Sequence, residues 1–297
     1  MAAQWETWTA RVAAGGTLTN EELQLAAASP EILALGMLAD TARRAQRGRV
    51  VTYLRVASVD PDQGIDAAAV AAAGEVRVTG AYPGREAAEA QLARVRREAV
   101  GRMVTAWSLA DIEAAGEGAL PGVLARLRAA GLDGVAEVPV DRLKSPGAAV
   151  AALVEAGFLA IRVTVEKAGG ESRLPLLEAL QAAAAAGPVT AVHPLPLVLN
   201  PFRPTTGYED VRTIALARLA MPASVAVQVD WPRYGPKLAQ VALTFGADDI
   251  YGVPAVDAAP DGPRRGLLLE VRRNIEAAGF EAVERDGSFA RSASQAV

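Results

Sequence analysis

From residue 50 onward, short valine-rich apolar runs alternate with longer segments that carry charges at helical spacing. The apolar runs begin near Val50 (VVTYLRVA), Glu75 (EVRVTG), Arg102 (RMVTAW), Asp133 (DGVAEVPV), Phe158 (FLAIRVTVE), Val189 (VTAVHPLPL), Ser224 (SVAVQVDW) and Asp248 (DDIYGV). β-branched residues favour the pleated, packed environment of a strand. The intervening segments, such as REAAEAQLARVRREAV and ESRLPLLEALQAAAAAG, are built from strong helix formers. Several of them close on a glycine just ahead of the next strand, at Gly74, Gly131, Gly157 and Gly187, as expected of a helix C-terminus. Eight strand–helix units spaced about 25–35 residues apart predict an α/β protein with a TIM-type (βα)8 barrel. An open, doubly wound sheet ranks below it, because no Gly-x-Gly-x-x-Gly turn follows the first strand.

Ahead of the first strand the pattern is purely helical. Residues 1–16 read as a lead-in. The sequence LTNEELQLAAASPEILALGMLADTARRAQRG then predicts two helices, the first capped by Thr19 or Asn20, with Glu21 and Glu22 in its first turn. Ser29-Pro30 restarts the chain and Gly48 ends the second helix. The division is therefore an N-terminal helical extension, residues 1–48, and a single-domain barrel, residues 49–297. The Pro/Gly/Asp-rich stretch 253–266 reads as a loop within the last unit. PRRGLLLEVRRNIEAAG is the final helix, and FEAVERD adds an edge strand.

Composition narrows the functional classes. With 297 residues, 51% of them hydrophobic and 22% charged, the chain can bury a large core. A net charge of −4 and a pI near 5.3 argue against a generic nucleic-acid or anionic-membrane binder. No run of about 18 apolar residues offers a membrane span, and the start MAAQWETWTARVAAGG lacks the basic and apolar regions of a secretion signal. A cytoplasmic protein is expected. There is no cysteine and one histidine, which removes disulfides, thiolate nucleophiles and cysteine metal sites. No metal site is expected.

The segments TGYEDVRTIALARL and YGPKLAQVALTFGADDIYG, with Trp231 just before the second, resemble the radical S-adenosylmethionine enzymes of the futalosine route to menaquinone: aminofutalosine synthase and dehypoxanthine futalosine cyclase. Weaker similarity runs through EEL…LGMLADTARR, VTYL and LARLRAAGLDGV, so that it reaches from about Leu18 to Asp286. The resemblance implies a barrel, full or partial, of the radical-SAM type. It also implies a [4Fe–4S] cluster on a Cys-x3-Cys-x2-Cys loop after the first strand. This chain has ASVDPDQGIDAAAVAAAG there, and Asp60, Asp62 and Gln63 cannot replace three thiolates. A glycine-rich loop of the family, after the fourth strand, is replaced by VAEVPVDRLKSPG, and Tyr251 stands where the family tends to carry an aspartate. The expectation is a retained fold without the radical chemistry, and without any cofactor.

Barrel function sits at the C-terminal ends of the strands. Those ends carry Ser58, Asp60, Tyr82, Trp107, Ser108, Asp141, Glu166, Lys167, Asn200, Arg203, Asp230, Trp231 and Arg233. Glu166, His193 and Asp230 are the candidates for proton transfer, Glu166 and Asp230 as a pair of acids. A single histidine inside an apolar strand reads first as a hydrogen-bonded core residue and second as a base. Asn200, Arg203, Trp231, Arg233 and Tyr234 are the candidate ligand contacts. In that reading Trp231 stacks a planar group and Arg233 pairs with a carboxylate, while the plainer alternative is a capped turn whose tryptophan covers the barrel mouth. Asp248 and Asp249 are expected to brace the bottom of the barrel. Three roles stand: a cluster-less relative binding a small carboxylated metabolite or partnering a catalytic barrel, a cofactor-free lyase or isomerase acting on an anion, or a structural partner subunit. No nucleic-acid or membrane partner is expected, and a homo- or hetero-oligomer with another barrel remains open.

Overall fold

Eight parallel strands close into a ring: β1 (Val50–Val59), β2 (Glu75–Val78), β3 (Met103–Ser108), β4 (Gly134–Pro139), β5 (Ile161–Val165), β6 (Val189–Pro194), β7 (Ala226–Asp230) and β8 (Asp249–Pro254). Each pairs with its successor in the chain, and β8 and β2 both pair with β1. The structure, a computed structural model, describes residues 2–166, 173–196, 206–256 and 268–290. Lys167, Asn200 and Arg203 lie outside the described residues. The fold is the TIM-type α/β barrel that the strand–helix rhythm predicts.

Three helices, α1 (Ala2–Ala13), α2 (Asn20–Ala28) and α3 (Ile32–Arg47), precede β1. Among the described residues nine more, α4 (Ala67–Ala72), α5 (Arg85–Glu98), α6 (Leu109–Ala114), α7 (Leu120–Ala129), α8 (Pro146–Glu155), α9 (Arg173–Ala186), α10 (Tyr208–Ala220), α11 (Trp231–Leu243) and α12 (Leu268–Ala277), fall between or after the strands. The lead-in expected over residues 1–16 is instead a helix packed on α3. Trp5, Trp8 and Val12 recur at spacings of three and four, which is one helical face. That face buries Trp8 and Val12 in a cluster with Leu35 and Leu38 of α3, Leu177 of α9 and Leu216 of α10. Thr19 caps α2 through a full capping box with Glu22, whose carboxylate also holds Arg11 at 2.6 Å.

The last strand, β9 (Glu281–Glu284), is parallel to β1 and pairs with it from Val50 to Tyr53. Its position follows from unequal lengths. β1 has ten residues and β2 only four, and β2 first meets β1 at Val56. The lower half of β1 is thereby left with an open edge, which β9 fills, and the Gly287 N–H then donates to the Gly74 carbonyl.

Within the strands, alternate residues point to opposite faces. The outward set, including Val76, Val78, Val104, Val163, Val165, Val227, Val229 and Ile250, belongs to the main hydrophobic core beneath the helices. The inward set is largely polar, with Leu54 and Val56 of β1 packed on Tyr251. Glu75 on β2 accepts from Thr105 on β3 (2.7 Å), from Arg162 on β5 (2.8 Å) and from Tyr251 on β8 (2.6 Å). Neither β5 nor β8 neighbours β2, so two of these bonds cross the lumen. One layer lower, Asp249 on β8 takes both Nε (2.6 Å) and Nη2 (2.7 Å) of Arg285, just past β9, and Nε2 of Gln228 at 2.9 Å. Asp248 braces the same end, as expected, by accepting from Arg47 at 2.8 Å and from the Val227 N–H at 2.7 Å.

Asp249 and Arg285 are fully buried, and removing one partner of such a pair strands the other charge in a low-dielectric site. Arg285→Met is therefore expected to lower the unfolding free energy, measured by urea titration, by roughly 3–5 kcal/mol. A loss below about 1 kcal/mol, the size typical of a surface ion pair, would contradict this assignment.

Candidate functional site

The polar lumen opens at the C-terminal ends of the strands into a cavity of about 410 Å³, within the range of small-molecule sites. Its wall includes Ser58 of β1, Arg77 of β2, Trp107 and Ser108 of β3, Glu137 of β4, Asp230 of β7, Arg233 of α11 and Tyr251 of β8. Arg77 lies two residues beyond Glu75 on the same strand face and so continues the lumen's charge to the mouth. Glu137 Oε1 accepts from Arg77 Nη2 at 2.6 Å and from Arg233 Nη2 at 3.0 Å. Burial raises the Glu137 carboxyl, but the two guanidiniums outweigh it and hold the group below the usual carboxylate range.

Asp230 has two tasks. Its Oδ1 accepts from the Arg233 N–H at 3.0 Å, capping α11, while its side chain lines the cavity. Burial raises its carboxyl above the ordinary value, against the pull of the Arg233 N–H and guanidinium. His193 of β6 lies in the lumen with Nε2 at 3.8 Å from Asp230 Oδ2 and its ring edge-on to Tyr251, 5.1 Å between centroids. Burial, reinforced by Arg162, Arg77 and Arg233, holds the imidazole well below its usual pKa, so it is neutral at pH 7. Both ring nitrogens are buried without a hydrogen-bond partner among the described residues. Tyr251 keeps its proton: burial raises its hydroxyl to about 12, with Arg162 opposing and Glu75 adding to the rise.

Trp107 adds strain to the wall. Its φ is +50°, a left-handed conformation that is costly for a bulky side chain. The indole is held edge-on against Tyr82, 5.4 Å between centroids, and Tyr82 is fixed by donating to Glu117 at 2.8 Å.

Of the residues expected at the strand ends, Ser58, Trp107, Ser108, Asp230 and Arg233 reach the cavity, and the candidate base His193 lies close to Asp230. Trp231 and Tyr234 do not line it, which corrects the stacking role expected for Trp231 and the ligand contact expected for Tyr234. Asp230 ends β7 and Trp231 begins α11, so the capped turn sends both aromatic rings under the helix into the main core. Trp231 is 1% exposed, and the Tyr234 hydroxyl donates to the Pro194 carbonyl at 3.1 Å. Glu166 is not part of the cavity wall. It accepts from Arg142 at 3.2 Å, and burial raises its carboxyl despite that arginine. The expected pairing of Glu166 with Asp230 is replaced by Asp230 beside His193. Arg77 and Glu137 were missed, although strict alternation along EVRV already places Arg77 on the face of Glu75.

The residues that follow β1 do not fit an iron–sulfur cluster. Asp60 Oδ1 accepts from the Asp62 N–H, and Asp66 Oδ1 caps α4 by accepting from the Ala68 and Ala69 N–H groups. The sequence supplies no thiolate, and among the described residues no group of three or more His, Cys, Asp or Glu is placed to hold a metal ion.

The barrel superposes on methylornithine synthase (PylB) with a TM-score of 0.68 at 15% identity, covering 93% of this chain and 97% of that one. It superposes on the FeFe-hydrogenase maturase HydG from Carboxydothermus hydrogenoformans with a TM-score of 0.69 at 11% identity, covering 97% of this chain and 81% of that one. The chain shares the barrel fold of these two enzymes. In sequence, 88 residues are 36% identical to 5-amino-6-(D-ribitylamino)uracil–L-tyrosine 4-hydroxyphenyl transferase 2 of Methanosarcina barkeri, covering 28% of this chain and 23% of that protein. Another match, over 90 residues at 36% identity, is to aminodeoxyfutalosine synthase of Thermus thermophilus, covering 29% and 24%. Similarity to the futalosine-route enzymes is thus shown, in a chain without cysteine. The matches span about a quarter of the length of these curated relatives. No family model matches the chain. No helix among the described residues is long and apolar enough to cross a membrane.

The sign of the Asp230 shift gives a test on this barrel. A carboxyl raised in the folded state costs stability that grows as pH climbs from the unfolded value of 3.8 through the folded one. Asp230→Asn removes that cost and keeps an effective helix cap. It is expected to stabilise the protein at pH 7, with the gain vanishing below pH 3.8, as read from urea unfolding across pH. Destabilisation at pH 7 would contradict the raised carboxyl.

Proposed function

We propose that this protein is a non-radical relative of the futalosine-route enzymes that binds a small carboxylated metabolite at the barrel mouth, alone or beside a catalytic barrel of the same family. The observation that carries the reading is the cavity itself. A pocket of about 410 Å³ with two arginines in its wall accompanies a first loop whose donors cannot hold a cluster. Two guanidiniums suit a carboxylate, and one relative is named for L-tyrosine, which carries one. The chain needs no iron–sulfur cofactor in this reading.

A second reading has one specific observation behind it. Asp230, raised by burial, lines the cavity 3.8 Å from a neutral, buried His193. An acid and an imidazole at that spacing can move a proton to or from a bound anion without a cofactor, as a lyase or isomerase requires.

Anaerobic reconstitution with iron and sulfide tests the first reading. The expected outcome is no sulfur-to-iron charge-transfer absorption and no cleavage of S-adenosylmethionine under a strong reductant. A stoichiometric [4Fe–4S] spectrum would overturn it.

A further inference from the structure

The two arginines of the cavity wall do not face an empty site, because Glu137 already stands between them. Both contacts fall on one oxygen, Oε1, and each arginine supplies only Nη2. Arginine binds a carboxylate best through two parallel N–H···O bonds. Among the described residues, neither Arg77 nor Arg233 forms such a fork on Glu137. Arg233 approaches a second acid, Asp230, through Nε, but only to 3.8 Å.

The three groups differ in freedom. The side chains of Arg77 and Glu137 are 19% and 16% exposed, that of Arg233 43%. The Arg77–Glu137 pair is therefore the fixed part and the Arg233 side chain the movable one. The root of Arg233 is nonetheless rigid. Its N–H is held by Asp230, and Pro232 packs so closely on Gly252, at φ +76°, that a Cβ there would meet Pro232 Cδ at 3.2 Å. Two guanidiniums share one hydrogen-bonded carboxylate, with Asp230 a second and more distant acid beside Arg233.

We propose that Glu137 is an internal stand-in for the ligand's anionic group: a bound carboxylate takes its place on Arg233, while Glu137 stays on Arg77. This deepens, and rests on, the reading of the mouth as a carboxylate site. The wild-type pocket is held partly shut by its own acid. Its affinity is set by the competition between resident and incoming carboxylates for one guanidinium, and only an anion able to engage both nitrogens of Arg233 displaces Glu137.

The test uses the full chain, with 4-hydroxyphenylacetate as the anionic probe and 4-hydroxyphenylacetamide as its uncharged counterpart, followed by titration calorimetry. Glu137→Gln keeps an oxygen for Arg77 but removes the competing charge. It is expected to tighten the acid by about tenfold or more and to leave the amide unchanged. Adding Arg233→Ala to Glu137→Gln is expected to abolish that gain. Glu137→Asp, which withdraws the charge by one methylene, is expected to give a smaller gain, and it carries the test if circular dichroism shows Glu137→Gln unfolded. A folded Glu137→Gln, or in its absence a folded Glu137→Asp, whose affinity for the acid equals or falls below that of the wild type overturns the stand-in but leaves the carboxylate site in place. Failure of every variant to bind the acid overturns both.

Discussion

An ion pair sealed inside the barrel, Glu75 with Arg162, sets the terms for everything around it. Both residues are buried, on strands that are not neighbours, and their contact crosses the lumen at 2.8 Å. A charge so placed is tolerated only when it is paired and further hydrogen-bonded. Glu75 meets the condition through Thr105 and Tyr251, and Arg162 lies over the Tyr251 ring at 4.0 Å. Burial raises the Glu75 carboxyl, yet these partners bring it net below the usual value, so it stays ionised. Aliphatic layers fill a common TIM barrel; here the strands send most of their aliphatic residues outward, and charge shares the lumen with a small patch of Leu54 and Val56 against Tyr251.

The mouth continues that arrangement. Arg77 follows Glu75 at the next inward position, needs an acid of its own, and finds Glu137, which brings Arg233 over the opening. Asp230 and His193 stand beside this chain of charges as a second, weakly coupled pair. A site built this way binds and orients through fixed charges on strand ends, with Trp107 holding one wall in a strained conformation. After β1 the acidic side chains of the loop serve a turn and a helix cap.

Much of this was legible in the chain. The valine-rich runs and closing glycines located all eight barrel strands to within about three residues, and the edge strand near the C-terminus is β9. The same runs also encoded the lumen: EVRV, IRVTV and VAVQVD alternate strictly, and their polar members are Glu75, Arg77, Arg162, Thr164, Gln228 and Asp230. What sequence position could not supply was the direction of the turn after β7. Asp230, Trp231 and Arg233 are near neighbours in the chain, but the helix cap sends the tryptophan under the helix into the core and leaves the arginine at the cavity wall. Glu137 was hidden for a related reason. Its importance comes from Arg77 and Arg233, 60 and 96 residues away, and no local spacing announces a contact across a barrel. The first helix was overlooked because its apolar face is short, and it gains its stability from packing on α3.

The measurement closest to the centre of this account is a double-mutant cycle on Glu75 and Arg162, with unfolding free energies read in urea. If the sealed pair organises the lumen, Glu75→Gln and Arg162→Met each cost roughly 3–5 kcal/mol, and the double replacement costs much less than their sum. Additive losses, or single losses of a few tenths of a kcal/mol like those of many exposed pairs, would contradict it.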